Sequence, residues 1–188
     1  MIQYLPSLAG VALISFAFTK LLIPLSHATG LLDRPDKRKQ HLGPVPLVGG
    51  IGIYLSVLFC AVLFLELPET FIGIALICGL ITFLGALDDR NPVPPYYRLT
   101  MQLIAGVGLA TVGGSCIRDL GNLTGLGAIN LGLIAIPFTA VAITGLCNAY
   151  NMVDGIDGLA GSLTIVSMVS LLLLANGHAP DNQVALLA

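Results

Sequence analysis

Charge is what this 188-residue sequence has least of. Asp, Glu, Lys and Arg together make up 10% of it, where a soluble domain carries about 25%. With 56% hydrophobic residues and a mean hydropathy of +0.93, that scarcity excludes an ordinary soluble domain and points to a polytopic membrane protein. A net charge of −2 supplies no global basic field, which argues against nucleic acid as a partner. Trp is absent and aromatics are only 6%, so the adjacent Tyr96 and Tyr97 stand out as an interfacial pair. The four Cys (Cys60, Cys78, Cys116 and Cys147) are scattered singly. They have neither metal-ligand spacing nor a disulfide framework, and are expected to be free, inert thiols.

What is there is apolar sequence in span-sized runs. A crossing helix needs about 17–25 mostly apolar residues. Runs at 4–25, 47–65, 71–87, 99–112, 131–147 and 159–175 predict an all-α protein with six complete spans. The fourth run is short and rich in glycine. A seventh run starts near 183, and the sequence stops inside it, which predicts that residues 1–188 are a single membrane domain at the N-terminal side of a longer protein. The opening run lacks a basic leading region and a small-residue cleavage site, so it reads as a span and not as a signal peptide.

The few cations orient the chain. Residues 26–46 hold Arg34, Lys37, Arg38 and Lys39, and residues 88–98 hold Arg90 and Arg98. The connections on the other side hold only Arg118. The positive-inside rule then puts 26–46, 88–98 and 148–158 in the cytoplasm and the N-terminus outside. Lys20 is close enough to the first loop to snorkel towards it. The outer connection 113–130 is glycine-rich and reads as a short β-hairpin.

All three cytoplasmic loops carry chemistry. In the third, Asn148, Asn151, Asp154 and Asp157 recur every three residues. A three-residue helical step advances about 300°, so neighbours in this ladder share a face, best from Asn148 to Asp154 because Gly155 and Gly158 loosen the helix beyond. Amide and carboxylate oxygens suit a hard cation such as Mg²⁺, although a polar helix end between two spans has the same look. In the second loop, Asp88 and Asp89 directly follow a span. Acids there oppose the helix macrodipole, which favours a functional reason such as Mg²⁺ coordination or general-base work. About 100° of helical rotation separates the two, so they cannot point the same way, but both can reach a shared pocket at the membrane surface. Arg98 closes that loop as a clamp for a phosphate oxygen. In the first loop, the cations around Lys37 suit either an anionic substrate or anionic lipid, and His41 is a phosphate donor, a proton carrier or neither. Gly49, Gly50 and Gly52 allow close approach of a ligand or a neighbouring helix.

Three signatures taken together, Asp88-Asp89, His41-x-x-Pro-x-Pro-x-x-Gly-Gly and Asn148-Ala-Tyr-Asn-Met-Val-Asp-Gly-Ile-Asp-Gly, resemble the polyprenyl-phosphate N-acetylhexosamine-1-phosphate transferases. The Met152-Val153 pair makes the third signature more similar to the WecA branch than to the MraY branch. The resemblance implies a bacterial inner-membrane enzyme of ten or eleven spans. It implies Mg²⁺-dependent transfer of a sugar 1-phosphate, GlcNAc 1-phosphate in the WecA branch, from a UDP-sugar to undecaprenyl phosphate with release of UMP. Mn²⁺ is an alternative metal. Asp88 and Asp89 match the acidic pair that handles the metal and the lipid phosphate, Asn151 the amide near metal and diphosphate, and Asp154 and Asp157 the acids of the nucleotide-sugar site. Arg98 falls where a basic residue lies near the phosphates; Lys37 and His41, read from the first loop itself, are the further candidate substrate contacts. The implied partners are the UDP-sugar, the polyprenyl phosphate and membrane lipid, and a homodimer is compatible with them. A further metal-ligating Asp and a His-rich motif, expected in later loops, are not within these residues. The competing classes are a transporter or channel with an Asp/Asn ion path, and a non-catalytic scaffold. Acids gathered at span ends on one side favour surface chemistry over an ion path.

Overall fold

The computed structural model describes residues 5–33, 43–123, 125–153 and 158–178. It is mostly helical, as the all-α reading expects. The helices are α1 (Leu5–Thr29), α2 (Gly49–Phe64), α3 (Thr70–Arg90), α4 (Pro95–Thr111), α5 (Ala135–Val153) and α6 (Leu159–His178). The chain divides into two compact units, 1–143 and 144–188. Three helical stretches, Ala9–Thr29, Thr70–Arg90 and Gly132–Val153, are long and apolar enough to cross a bilayer. Gly49–Phe64 and Leu159–Leu174 are apolar but shorter. These helices make the protein an integral membrane protein, and among the described residues three of the six expected spans reach full crossing length.

Helix boundaries depart from the apolar runs in an informative way. The third run ends at 87, yet α3 continues to Arg90 and carries Asp88 and Asp89 in its last turn. Hydrogen bonding, not hydropathy, sets that end: Asn91 is extended (φ −136°, ψ 96°), and Pro92 follows it. The fourth run starts at 99, yet α4 starts at Pro95. Proline has no N–H to leave unpaired at a first helical position, so it starts the helix four residues early. The fifth run ends at 147, yet α5 continues to Val153 and carries Asn148 and Asn151.

Packing in the first unit is the reverse of a soluble core. Its buried positions are small residues such as Ser56, Ala105, Thr139 and Ala140, while Leu21, Ile72, Leu76 and Phe83 face outward. Lipid tails are as apolar as leucine, so helices associate through close backbone approach and interhelical hydrogen bonds. A Cβ at Gly52 would stand 2.6 Å from Thr19 Oγ1 of α1, and one at Gly106 would stand 2.8 Å from Ala140 Cα of α5. Helix packing is therefore the use of Gly52, while a Cβ at Gly49 or Gly50 would meet nothing within 4 Å. The Tyr54 hydroxyl donates to the Ala75 carbonyl at 2.9 Å and ties α2 to α3. Phe18 and Phe59 meet edge-on at 5.7 Å between α1 and α2.

Two connections hold short β-pairings. β1 (Leu32–Asp33) and β2 (Val45–Pro46) are antiparallel, with Leu32 opposite Pro46 and Asp33 opposite Val45. Two-residue strands leave no alternation to read in a sequence, and this pair draws together the ends of the first loop. In the outer connection, Asp119 and Asn130 form an antiparallel bridge, extended by Leu120 N–H to Ile129 O at 3.0 Å and Ile129 N–H to Gly121 O at 3.1 Å. The expected hairpin is thus present in minimal form. Lys20 does not reach for the first loop: its Nζ lies 5.4 Å from the Phe16 ring centroid, one turn back towards the N-terminus. Side chains on a helix lean that way, and the ring face attracts the ammonium. None of the four cysteines is in a disulfide.

The packing predicts opposite outcomes for two glycine substitutions. Gly106→Val should lower the thermal unfolding midpoint in detergent, at a cost of about 1–3 kcal/mol, because the colliding atoms are backbone. Gly50→Ala should leave the midpoint unchanged or raise it, since open space surrounds that position and alanine favours the helix by up to about 1 kcal/mol.

Candidate active site

The α3–α4 junction assembles the clearest polar constellation among the described residues. Asp88 Oδ2 accepts from Arg98 Nη1 at 3.0 Å, an ion pair whose side chains are 16% and 40% exposed respectively. Asp88 Oδ1 accepts from the Val93 N–H at 2.8 Å. Both oxygens of the first acid are therefore engaged by the protein. Asp89, one helical step on, is exposed, as the 100° step between neighbours requires. The sequence reading paired the two acids in one role, whereas the structure gives them different surroundings.

A cavity of about 400 Å³ lies against the ion pair, walled mostly by apolar groups including Ile81, Leu84, Leu87 and Met101. Asp88, Tyr97, Arg98 and Gln102 supply its polar lining. Its volume suits a small ligand or part of a lipid. Gln102 Oε1 is buried without a hydrogen-bond partner, which leaves an acceptor available to a ligand donor or a water. Gln102 and the Val93 N–H are the two participants that sequence reasoning missed. The signals were there: a glutamine one turn after Arg98 in an apolar run, and a single N–H donor between prolines 92, 94 and 95. At the start of α4 the Tyr96 and Tyr97 ring centroids lie 4.1 Å apart with the planes inclined at 33°. Hydrogen bonding with Tyr97 raises the Tyr96 pKa above the usual phenol value.

A second cavity, of about 520 Å³, lies at the other end of α4, lined by Thr111, Cys116, Arg118 and Asn130. It is larger but holds no acid, so the smaller cavity is the better candidate for chemistry.

In the second unit, Asn148 and Asn151 stand on the last turns of α5, three residues apart and both exposed. The helix continuing as far as Val153 agrees with the expected face-sharing ladder. Asp154 and Asp157 lie outside the described residues, as do Lys37 and His41. Among the described residues, no group of three or more His, Cys, Asp or Glu forms a metal cluster. Asp88, Asp89 and Asn151 each carry the kind of oxygen that a hard cation takes, and Asp88 accepts from a guanidinium and a backbone amide.

Residues 71–188 match the family described as glycosyl transferase family 4. A Yersinia pestis protein named undecaprenyl-phosphate alpha-N-acetylglucosaminyl 1-phosphate transferase is 36% identical over 170 residues, covering 89% of this chain and 47% of that protein. A protein of the same name from Escherichia coli K12 is 35% identical over 161 residues, covering 83% and 44%. A Bacillus subtilis protein named probable undecaprenyl-phosphate N-acetylglucosaminyl 1-phosphate transferase is 28% identical over 178 residues, covering 93% and 48%. The chain thus spans about half the length of the curated relatives it matches. No solved structure matches it.

The orphaned oxygen predicts the effect of Gln102→Leu. Replacing an unsatisfied buried acceptor with an apolar side chain of similar size should leave the detergent unfolding midpoint unchanged or raise it, by about 1 kcal/mol of stability. A fall would mean that the oxygen has a partner in the folded protein.

Proposed function

The chain belongs to glycosyl transferase family 4, and from that premise we propose that the whole protein transfers a sugar 1-phosphate, GlcNAc 1-phosphate in the first instance, from a UDP-sugar to undecaprenyl phosphate. UMP leaves, and the lipid-linked sugar opens a cell-envelope polysaccharide pathway. The observation that carries this reading is the juxtaposition of an apolar-walled cavity with Arg98 at the end of two packed helices. An acceptor with a long apolar tail and a phosphate head needs both features side by side. The names of the relatives support the acceptor and the sugar.

The reaction is a phosphoryl transfer, which needs positioning and charge neutralisation more than covalent help from side chains. An oxygen of the lipid phosphate attacks the sugar-linked phosphorus of the donor, and the bond to the UMP oxygen breaks. Arg98 holds a phosphate oxygen of the lipid head, its guanidinium fork suiting that geometry. Bound Mg²⁺, or Mn²⁺ in its place, supplies charge neutralisation on the diphosphate. Asp89 and Asn151 are each candidate ligands by the type of oxygen they offer. Asp154 and Asp157 are assigned to the nucleotide sugar, and Lys37 and His41 to phosphate contacts. With both oxygens of Asp88 held by protein donors, attack by the lipid itself is favoured over a covalent intermediate on that residue. The chemistry is assigned to the cytoplasmic face of the bacterial inner membrane, where a lipid acceptor and a soluble nucleotide meet.

Membranes containing the whole protein should release UMP from UDP-GlcNAc only when undecaprenyl phosphate and Mg²⁺ are both supplied. Asp154→Asn and Asp89→Asn should each reduce that release by about 10²-fold or more, in line with the loss of a charge-stabilising group. Release from another UDP-sugar alone would keep the chemistry and change the donor. Substrate flux into liposomes without UMP would replace the enzyme with a transporter.

A further inference from the structure

Asp88 and Arg98 each carry a charge that opposes the helix holding it. Asp88 is in the last turn of α3, whose C-terminal end bears partial negative charge. Arg98 is in the first turn of α4, whose N-terminal end bears partial positive charge. They meet at 3.0 Å, so each answers the field that disfavours the other. The connection between them is short of donors. Pro92, Pro94 and Pro95 have no N–H, which leaves Val93 as the one backbone donor in 92–95. That N–H goes to Asp88 Oδ1 at 2.8 Å. One carboxylate thus holds the junction at two points, the backbone of the connection and the first turn of the next helix. It is the more buried partner of the pair, and Arg98 the more exposed.

We propose that Asp88 is a positioning residue. Its carboxylate latches the α3–α4 connection and holds the Arg98 guanidinium in place for the phosphate of the lipid acceptor. This rests on the transferase reading above and deepens it by dividing the acidic pair. A guanidinium has five N–H donors, and Asp88 takes one through Nη1. A phosphate oxygen can therefore be bound while the latch stays closed. A divalent cation on Asp88 would have to share the carboxylate with the Arg98 guanidinium already bonded to it, and two cations on one carboxylate repel. Asp88 therefore acts through Arg98 and not as a metal ligand.

The test uses the whole protein with Asp88→Asn, Arg98→Gln, the double variant and Val93→Pro. Val93→Pro deletes the N–H held by Asp88 and leaves both charges in place. UMP release supplies KM for undecaprenyl phosphate and kcat, and electron paramagnetic resonance of free Mn²⁺ supplies metal affinity without turnover. Asp88→Asn and Arg98→Gln should each raise the lipid KM about tenfold, with kcat changed less, as expected when ground-state binding is lost. The double variant should be no worse than the more severe single variant, because the two residues act as one unit. Val93→Pro should raise the lipid KM in the same direction, and Mn²⁺ affinity should stay within about twofold of the unaltered protein throughout. A fall of about tenfold in Mn²⁺ affinity in Asp88→Asn but not in Arg98→Gln would make Asp88 a metal ligand and overturn the latch. Additive losses in the double variant would overturn it too. If Asp88→Asn does not accumulate, an unchanged lipid KM in Val93→Pro decides against the proposal. Absence of UMP release from the unaltered protein would contradict the transferase reading itself, an outcome distinct from any pattern among the variants.

Discussion

The junction between α3 and α4 depends on one ion pair formed by two badly placed charges. A carboxylate at a helix C-terminal end and a guanidinium at a helix N-terminal end each cost their helix about 0.3–1 kcal/mol. Left alone at the edge of an apolar protein, either would be a liability. Joined at 3.0 Å, they close the connection and tie its only proline-flanked donor to the same carboxylate. The net gain in stability is modest, since an ion pair with an Arg partner 40% exposed is screened by water. What the arrangement secures is geometry: a cation kept partly exposed beside an apolar cavity. That is the arrangement an anionic lipid head requires.

The rest of the first unit makes that precision available through its packing. Small residues bring helix backbones close, as Gly106 does against Ala140 and Gly52 against Thr19. Hydroxyls bridge what remains, as Tyr54 does to Ala75 and Thr139 Oγ1 does in accepting from the Ile117 N–H at 2.9 Å. Large apolar side chains are left outside to meet lipid. A polar junction at one end of such a bundle is held by rigid elements, not by a loop of its own.

Much of this was legible in the sequence because two signals are strong there. Scarcity of charge and the length of the apolar runs give the membrane class and the approximate helices. The chemical motifs stand out because polar residues are rare. Helix ends were legible only in part. Hydropathy stops where a run turns polar, but α3 and α5 continue through Arg90 and Val153 because their backbone bonds continue. That extension keeps Asp88 and Asp89 on the last helical turn, where the 100° step already read from the sequence gives them different surroundings. The partnership of Asp88 with Arg98 spans ten residues and a proline-rich connection, and no periodicity encodes it. The β1–β2 pairing was invisible because two residues carry no alternation. The Lys20 contact with Phe16 replaces the expected snorkelling because a helical side chain leans towards the N-terminus and finds a ring face there.

The decisive experiment is a cryo-electron microscopy structure of the whole protein holding undecaprenyl phosphate, a UDP-sugar and Mn²⁺. The account predicts a lipid phosphate oxygen within about 3 Å of the Arg98 guanidinium. It also predicts that Asp88 still accepts from Val93 and Arg98, with the metal density away from its carboxylate. Metal density bonded to Asp88, with Arg98 turned away from the lipid phosphate, would contradict it.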